Sequence, residues 1–154
     1  MQSNMKEPSK TAKFLGFSGL IPFVVLTALL FLLPNPYKKN VIFIMLGYGA
    51  TIVSFLGAIH WGLNMREACP SKWRLVWGVI PSLLGWVSLV IGLIISPDIG
   101  VLILVGTLWL CLIMDYKIYS LFEISYWLRL RVLLTFISSL TLMASGIFYF
   151  LWKS

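Results

Sequence analysis

Residues 41–63, VIFIMLGYGATIVSFLGAIHWGL, hold no Lys, Arg, Asp or Glu. A helix needs about 20 predominantly apolar residues to cross the hydrocarbon layer of a bilayer, and this run supplies them. It is continuous rather than alternating, which excludes a strand of a membrane β-barrel. Working outward, residues 14–33, 75–95 and 132–152 are runs of the same kind, and residues 99–114 form a shorter one between Asp98 and Asp115. The short run is expected to use those two acids as interfacial ends, or to thin the bilayer locally. The chain therefore reads as an all-α, polytopic membrane protein with five transmembrane helices. A polar, disordered tail over residues 1–13 precedes a single membrane domain over residues 14–154.

Composition agrees. Of the 154 residues, 60% are apolar and 11% charged, far from the balance of a soluble domain. The net charge of +7 is not a nucleic-acid signal, because the basic residues form no dense cluster and instead punctuate the gaps between apolar runs. Cys69 in a loop and Cys111 within a span have no metal-binding or CxxC spacing and read as solitary thiols. The first run lacks a small-residue cleavage site before Pro34, so no cleavable signal is expected.

Charge sets the orientation. Assigning the gaps alternately to two sides gives one side Lys6, Lys10, Lys13, Arg66, Lys72, Arg74, Lys117, Arg129 and Arg131, nine cations. The other receives only Lys38, Lys39 and Lys153. The positive-inside rule then places the N-terminus in the cytoplasm and the C-terminus outside. Dropping the short fourth span would put the last basic cluster on the wrong side.

Along the chain, residues 34–40 read as a short outside turn. Gly47, Thr51, Ser54 and Ala58 recur every three or four residues, a small-residue face on which another backbone could approach closely. Pro81 predicts a kink in the third helix, with Ser82, Gly85, Ser88 and Gly92 forming a close-packing face beyond it. The tight turn near residues 96–99 makes the third and fourth helices antiparallel neighbours. Residues 115–131, with Tyr116, Tyr119, Tyr126 and Trp127, read as an interfacial segment between helices four and five. Trp61, Trp73, Trp77, Trp127 and Trp152 map near interfaces; Trp86 and Trp109 are expected deep, held by packing.

Chemistry could reside in few places. His60, the only histidine, lies near the cytoplasmic end of helix two, and His60, Asn64 and Glu67 share a face if the helix extends that far. An ionisable residue within a span is costly and hence a functional candidate. His60 either binds a headgroup, relays a proton or orients a quinone-like ring, or is hydrogen-bonded structurally at the helix end. In either case a residue so near the interface is expected to be cheap to truncate, so His60→Ala folds and inserts. Arg129 and Arg131 are either positive-inside anchors, or one of them pairs with Asp115 or Glu123 or grips a lipid phosphate. With Trp61, Pro81 and Trp127 these residues make up the candidate ligand or packing site. A single His with no neighbouring Cys builds no usual metal shell. No metal, resident cofactor or catalytic residue is implied.

The strings FLGAIHWG (residues 55–62) and PSLLGW (residues 81–86), Asp115 closing helix four, and Trp127 followed by LRLRVLLT (residues 128–135) carry a resemblance. The chain resembles an uncharacterised family of small five-helix bacterial inner-membrane proteins that includes mitochondrial transmembrane protein 69, over nearly the whole length from Phe14. The resemblance implies a five-helix protein of the bacterial inner membrane and brings no activity with it. Where members of that family often carry a Pro before the Trp of the fourth loop, this chain has Glu123, Ile124, Ser125 and Tyr126. The expected partner is the lipid bilayer, with no nucleic acid. Two functions remain open: a non-enzymatic accessory or assembly factor docking on other membrane proteins, and a binder or carrier of a small amphipathic ligand (quinone, lipid or tetrapyrrole) around His60. A headgroup-acting enzyme with His60 as base would need Glu67 or Asp115 within hydrogen-bond reach.

Overall fold

A computed structural model describes residues 7–153. Among the described residues the structure is entirely helical, with five stretches long and apolar enough to cross a membrane. The chain is a multi-pass membrane protein. Residues 1–6, part of the expected tail, lie outside the described residues.

The first span is two helices, α1 (Lys10–Ser18) and α2 (Ile21–Leu32). Ser9 caps α1 by accepting a hydrogen bond from the Ala12 backbone N–H, so the end of the supposed tail is already helical. Pro22 explains the break: without an N–H it cannot serve the carbonyl four residues back, that of Ser18. The Tyr48 hydroxyl donates to the Gly19 carbonyl at 2.8 Å, so a neighbouring helix satisfies backbone at the break.

α3 (Asn35–Asn64) starts earlier than hydropathy suggests, leaving residues 33–34 as the turn where residues 34–40 were expected. Its first turns carry Lys38, which is buried because its ammonium lies over the rings of Phe148 (4.8 Å) and Trp152 (5.6 Å). α4 (Lys72–Ile94) remains helical through Pro81. α5 (Pro97–Tyr119) is the expected short span, extended past Asp115 because that residue faces inward. Asp115 is thus not an interfacial end. Ile124 N–H bonds the Tyr119 carbonyl across Glu123, whose φ of 55° supplies the left-handed residue of a Schellman-type stop. A 3-10 turn (Ser125–Trp127) leads into α6 (Leu128–Lys153). The interfacial segment is therefore confined to the connection between α5 and α6.

α3 is the central element, touching α2, α4, α5 and α6. Lipid gives no hydrophobic drive for helix association, so close backbone approach and interhelical hydrogen bonds hold such bundles. The α3–α4 contact is made by Gly57 against Gly78 and by Ala50 and Val53 against Gly85. A Cβ on Gly57 would run into the Gly78 carbonyl oxygen. The face on α3 differs from the expected one: Thr51 and Ala58 are exposed, and Gly47 has open space beside it. On α4 the expected Gly85, Ser88 and Gly92 are buried as read. Ser88 donates to the Gly100 carbonyl at 2.8 Å, joining α4 to α5 as an antiparallel pair. Thr27 and Ser145 hydroxyls meet at 3.0 Å between α2 and α6. Trp86 and Trp109, expected to be held by packing, instead point outward at 62% and 42% exposure.

Candidate functional site

Three helices deliver three ionisable groups to one buried point. On α3, Val53, Leu56, Gly57, His60 and Asn64 repeat at helical spacing on the inward stripe. On α5 the stripe runs Leu104, Leu108, Cys111, Asp115; on α6 it runs Arg131, Thr135, Ser138, Leu142. The Arg131 Nε donates to Asp115 Oδ2 at 2.6 Å. His60 Nε2 lies 3.1 Å from the other carboxylate oxygen, though without the alignment of a hydrogen bond. His60 and Asp115 are each 1% exposed and Arg131 8%. A lone charge at that depth is expensive; here Asp115 and Arg131 neutralise each other, with the imidazole alongside. Sequence reasoning offered Asp115 or Glu123 as the arginine's partner; Glu123 is exposed.

Around this centre stand groups the sequence did not single out for the site. The Tyr119 ring is 6.3 Å from that of His60, and Tyr119 is itself buried. Trp77, expected at the interface, is buried edge-on to His60 at 6.4 Å. Thr135, one turn after Arg131, is also buried. Among the described residues, His60 Nδ1, Trp77 Nε1, Arg131 Nη2 and Thr135 Oγ1 have no hydrogen-bond partner.

The remaining candidates separate from the centre. Asn64 pins both ends of its amide to the backbone of Ser71, at 3.2 and 2.9 Å, and so fixes the connection between α3 and α4. Glu67 lies beyond the end of α3, off the face of His60, and forms a two-pronged pair with Arg74 at 2.9 and 2.7 Å. Arg74 in turn lies over the Phe122 ring at 5.1 Å, tying this connection to the one between α5 and α6. Trp61 donates to the Leu75 carbonyl at 2.7 Å and packs on Gly78. Pro81 lies against Gly57. Arg129 is exposed, in a second half-open depression of about 570 Å³ with Lys13 and Glu7. There the Lys13 ammonium, 2.6 Å from Glu7, holds that carboxyl below the usual range.

A half-open cavity of about 520 Å³ lies between the first span and α3 and α6, and His60, Trp61 and Pro81 are not among the residues that line it. Gly16, Phe23, Leu56, Trp127 and Leu134 give it an almost wholly apolar wall, in which Tyr119, Arg131, Thr135 and Ser138 are the polar members. Its size is that of a small-molecule site. Of the named candidates only Trp127 and Arg131 line it. The enzyme arrangement fares differently: His60 and Asp115 converge, while Glu67 does not.

Comparison with known proteins adds a family and no activity. A family model described as "Protein of unknown function (DUF3429)" matches residues 8–147. The chain is similar to transmembrane protein 69 of Xenopus tropicalis, 34% identical over 145 residues, 92% of this chain and 55% of that protein. It is also similar to transmembrane protein 69 of Mus musculus, 32% identical over 83 residues, 52% of this chain and 34% of that protein. The chain thus spans about half or less of the length of the curated relatives it matches. No solved structure matches it.

Proposed function

This chain belongs to the DUF3429 family, and we propose that it binds a small amphipathic ligand in the cavity between the first span and α3 and α6. One observation carries the reading: the apolar cavity has the buried Asp115–Arg131 pair as its polar backing. Ligand sites are mostly apolar with a few placed polar groups, and this one has that make-up. His60 stands against the other oxygen of Asp115 at 3.1 Å and, in this reading, limits where that carboxylate can turn. In this reading the protein sits in a bacterial inner membrane with its basic end in the cytoplasm, supported by the nine-to-three division of cations.

The alternative is an accessory factor docking on other membrane proteins, a reading that rests on small size, small-residue helix faces and the lack of a catalytic set in the sequence. The most tightly apposed small residues (Gly49, Gly57, Gly78, Gly85, Gly92 and Gly100) are engaged within the bundle, which favours the ligand reading. The test is mass spectrometry of the protein purified in mild detergent, beside a variant with Leu134→Trp filling the cavity. Wild type is expected to retain a lipid-soluble molecule that the folded variant loses. Retention unaffected by Leu134→Trp would remove the cavity from consideration.

A further inference from the structure

We infer that the head of the ligand is an uncharged carbonyl group on a lipophilic body, as in a quinone ring or an acyl ester. The inference rests on the cavity reading above and adds the chemistry of the occupant. Two counts lead to it.

The first is charge. The carboxylate of Asp115 already neutralises the guanidinium of Arg131 through a 2.6 Å hydrogen bond. An anionic head would place a second negative charge against a balanced pair in a low-dielectric wall, and a cationic head would compete with Arg131 for Asp115. The charged groups facing this point are His60 from α3, Asp115 from α5 and Arg131 from α6; the cavity-lining residues of α1 and α2 include no charged side chain. The balance therefore favours a head without net charge.

The second is hydrogen bonding. Arg131 Nη2 is a donor, and Thr135 Oγ1 carries a hydroxyl proton; both are buried and unpartnered among the described residues, and both side chains belong to the cavity wall. Two donors without acceptors call for an oxygen with two lone pairs, which one carbonyl supplies. Thr135 makes no bond to a backbone carbonyl, so its hydroxyl proton is free for the ligand.

The experiment uses the full chain in neutral detergent at pH 8. Binding is measured for decylubiquinone, dioctanoylglycerol, palmitate and hexadecane, with wild type and Thr135→Val. Because the Thr135 hydroxyl has no partner, its replacement by methyl leaves the fold intact. Either neutral carbonyl compound, or both, is expected to bind at least roughly tenfold more tightly than palmitate or hexadecane, as one buried charge or one missing acceptor would dictate. Thr135→Val is expected to weaken that binding by about 2- to 10-fold, the worth of one neutral hydrogen bond. Preference for the quinone identifies a ring and preference for the glyceride an ester; both fit. Palmitate or hexadecane binding as tightly as the carbonyl compounds, or no effect of Thr135→Val, overturns the head-group assignment and leaves the cavity standing. No binding by any of the four, with no molecule retained on purification, overturns both.

Discussion

Asp115 and Arg131 show how a single pair of residues can mislead a hydropathy reading. Each interrupts an apolar run, so the runs appear to end at residue 114 and begin at residue 132. Paired and buried, they extend α5 to Tyr119 and start α6 at Leu128. Removing one partner strands the other: Asp115→Asn is expected to cost about 3–5 kcal/mol in reversible unfolding in mixed micelles. Adding Arg131→Met should restore most of it, and a double variant as weak as the two losses summed would refute the pairing. His60 was legible as the singular residue of the chain, but not its depth. At 1% exposure beside Trp77 and Tyr119 it is a core side chain, so His60→Ala is expected to cost about 2–5 kcal/mol rather than nothing. Equal stability of His60→Ala and wild type in the same assay would return it to the interface. Thr135 and Tyr119 were not singled out, because sequence spacing does not mark which hydroxyl-bearing residues are buried beside the pair.

At the scale of the element, the number and kind of helices could be read directly, while the face each presents could not always be. α4 carries its small residues at one helical spacing, so Gly85, Ser88 and Gly92 had only one stripe to occupy. α3 carries two such sets. Gly47, Thr51, Ser54 and Ala58 make one; Gly49, Ala50, Val53 and Gly57 make the other, and partner contacts choose the second. The choice is testable. Gly57→Ala drives a methyl into the Gly78 carbonyl and is expected to destabilise the bundle by about 1–3 kcal/mol, the usual range for overpacking. Gly47→Ala meets open space and should be neutral, or stabilising by up to about 1 kcal/mol through helix propensity. Thermal unfolding in detergent separates the two, and equal effects would mean that α3 presents a different face.

For the whole molecule, the charge asymmetry seen in sequence acquires a shape. Glu67–Arg74 and the Arg74–Phe122 contact tie two connections together at the basic end, where Lys13 and Arg129 share a depression of their own. At the opposite end Lys153 reaches Ser96 at 2.9 Å and Trp152 donates to Asn35 at 3.0 Å. An odd number of crossings keeps the two ends distinct, and the positive-inside rule then decides which compartment each faces. The two cysteines report on that decision without any tag. Cys69 is exposed in the basic-end connection, and Cys111 is buried in α5. A membrane-impermeant maleimide should therefore label one thiol per chain in inverted inner-membrane vesicles and none in intact cells, with Cys69→Ser abolishing the signal. Labelling from outside intact cells would reverse the orientation. The cavity and its arginine would then lie near the outer leaflet, and the ligand would have to be sought there.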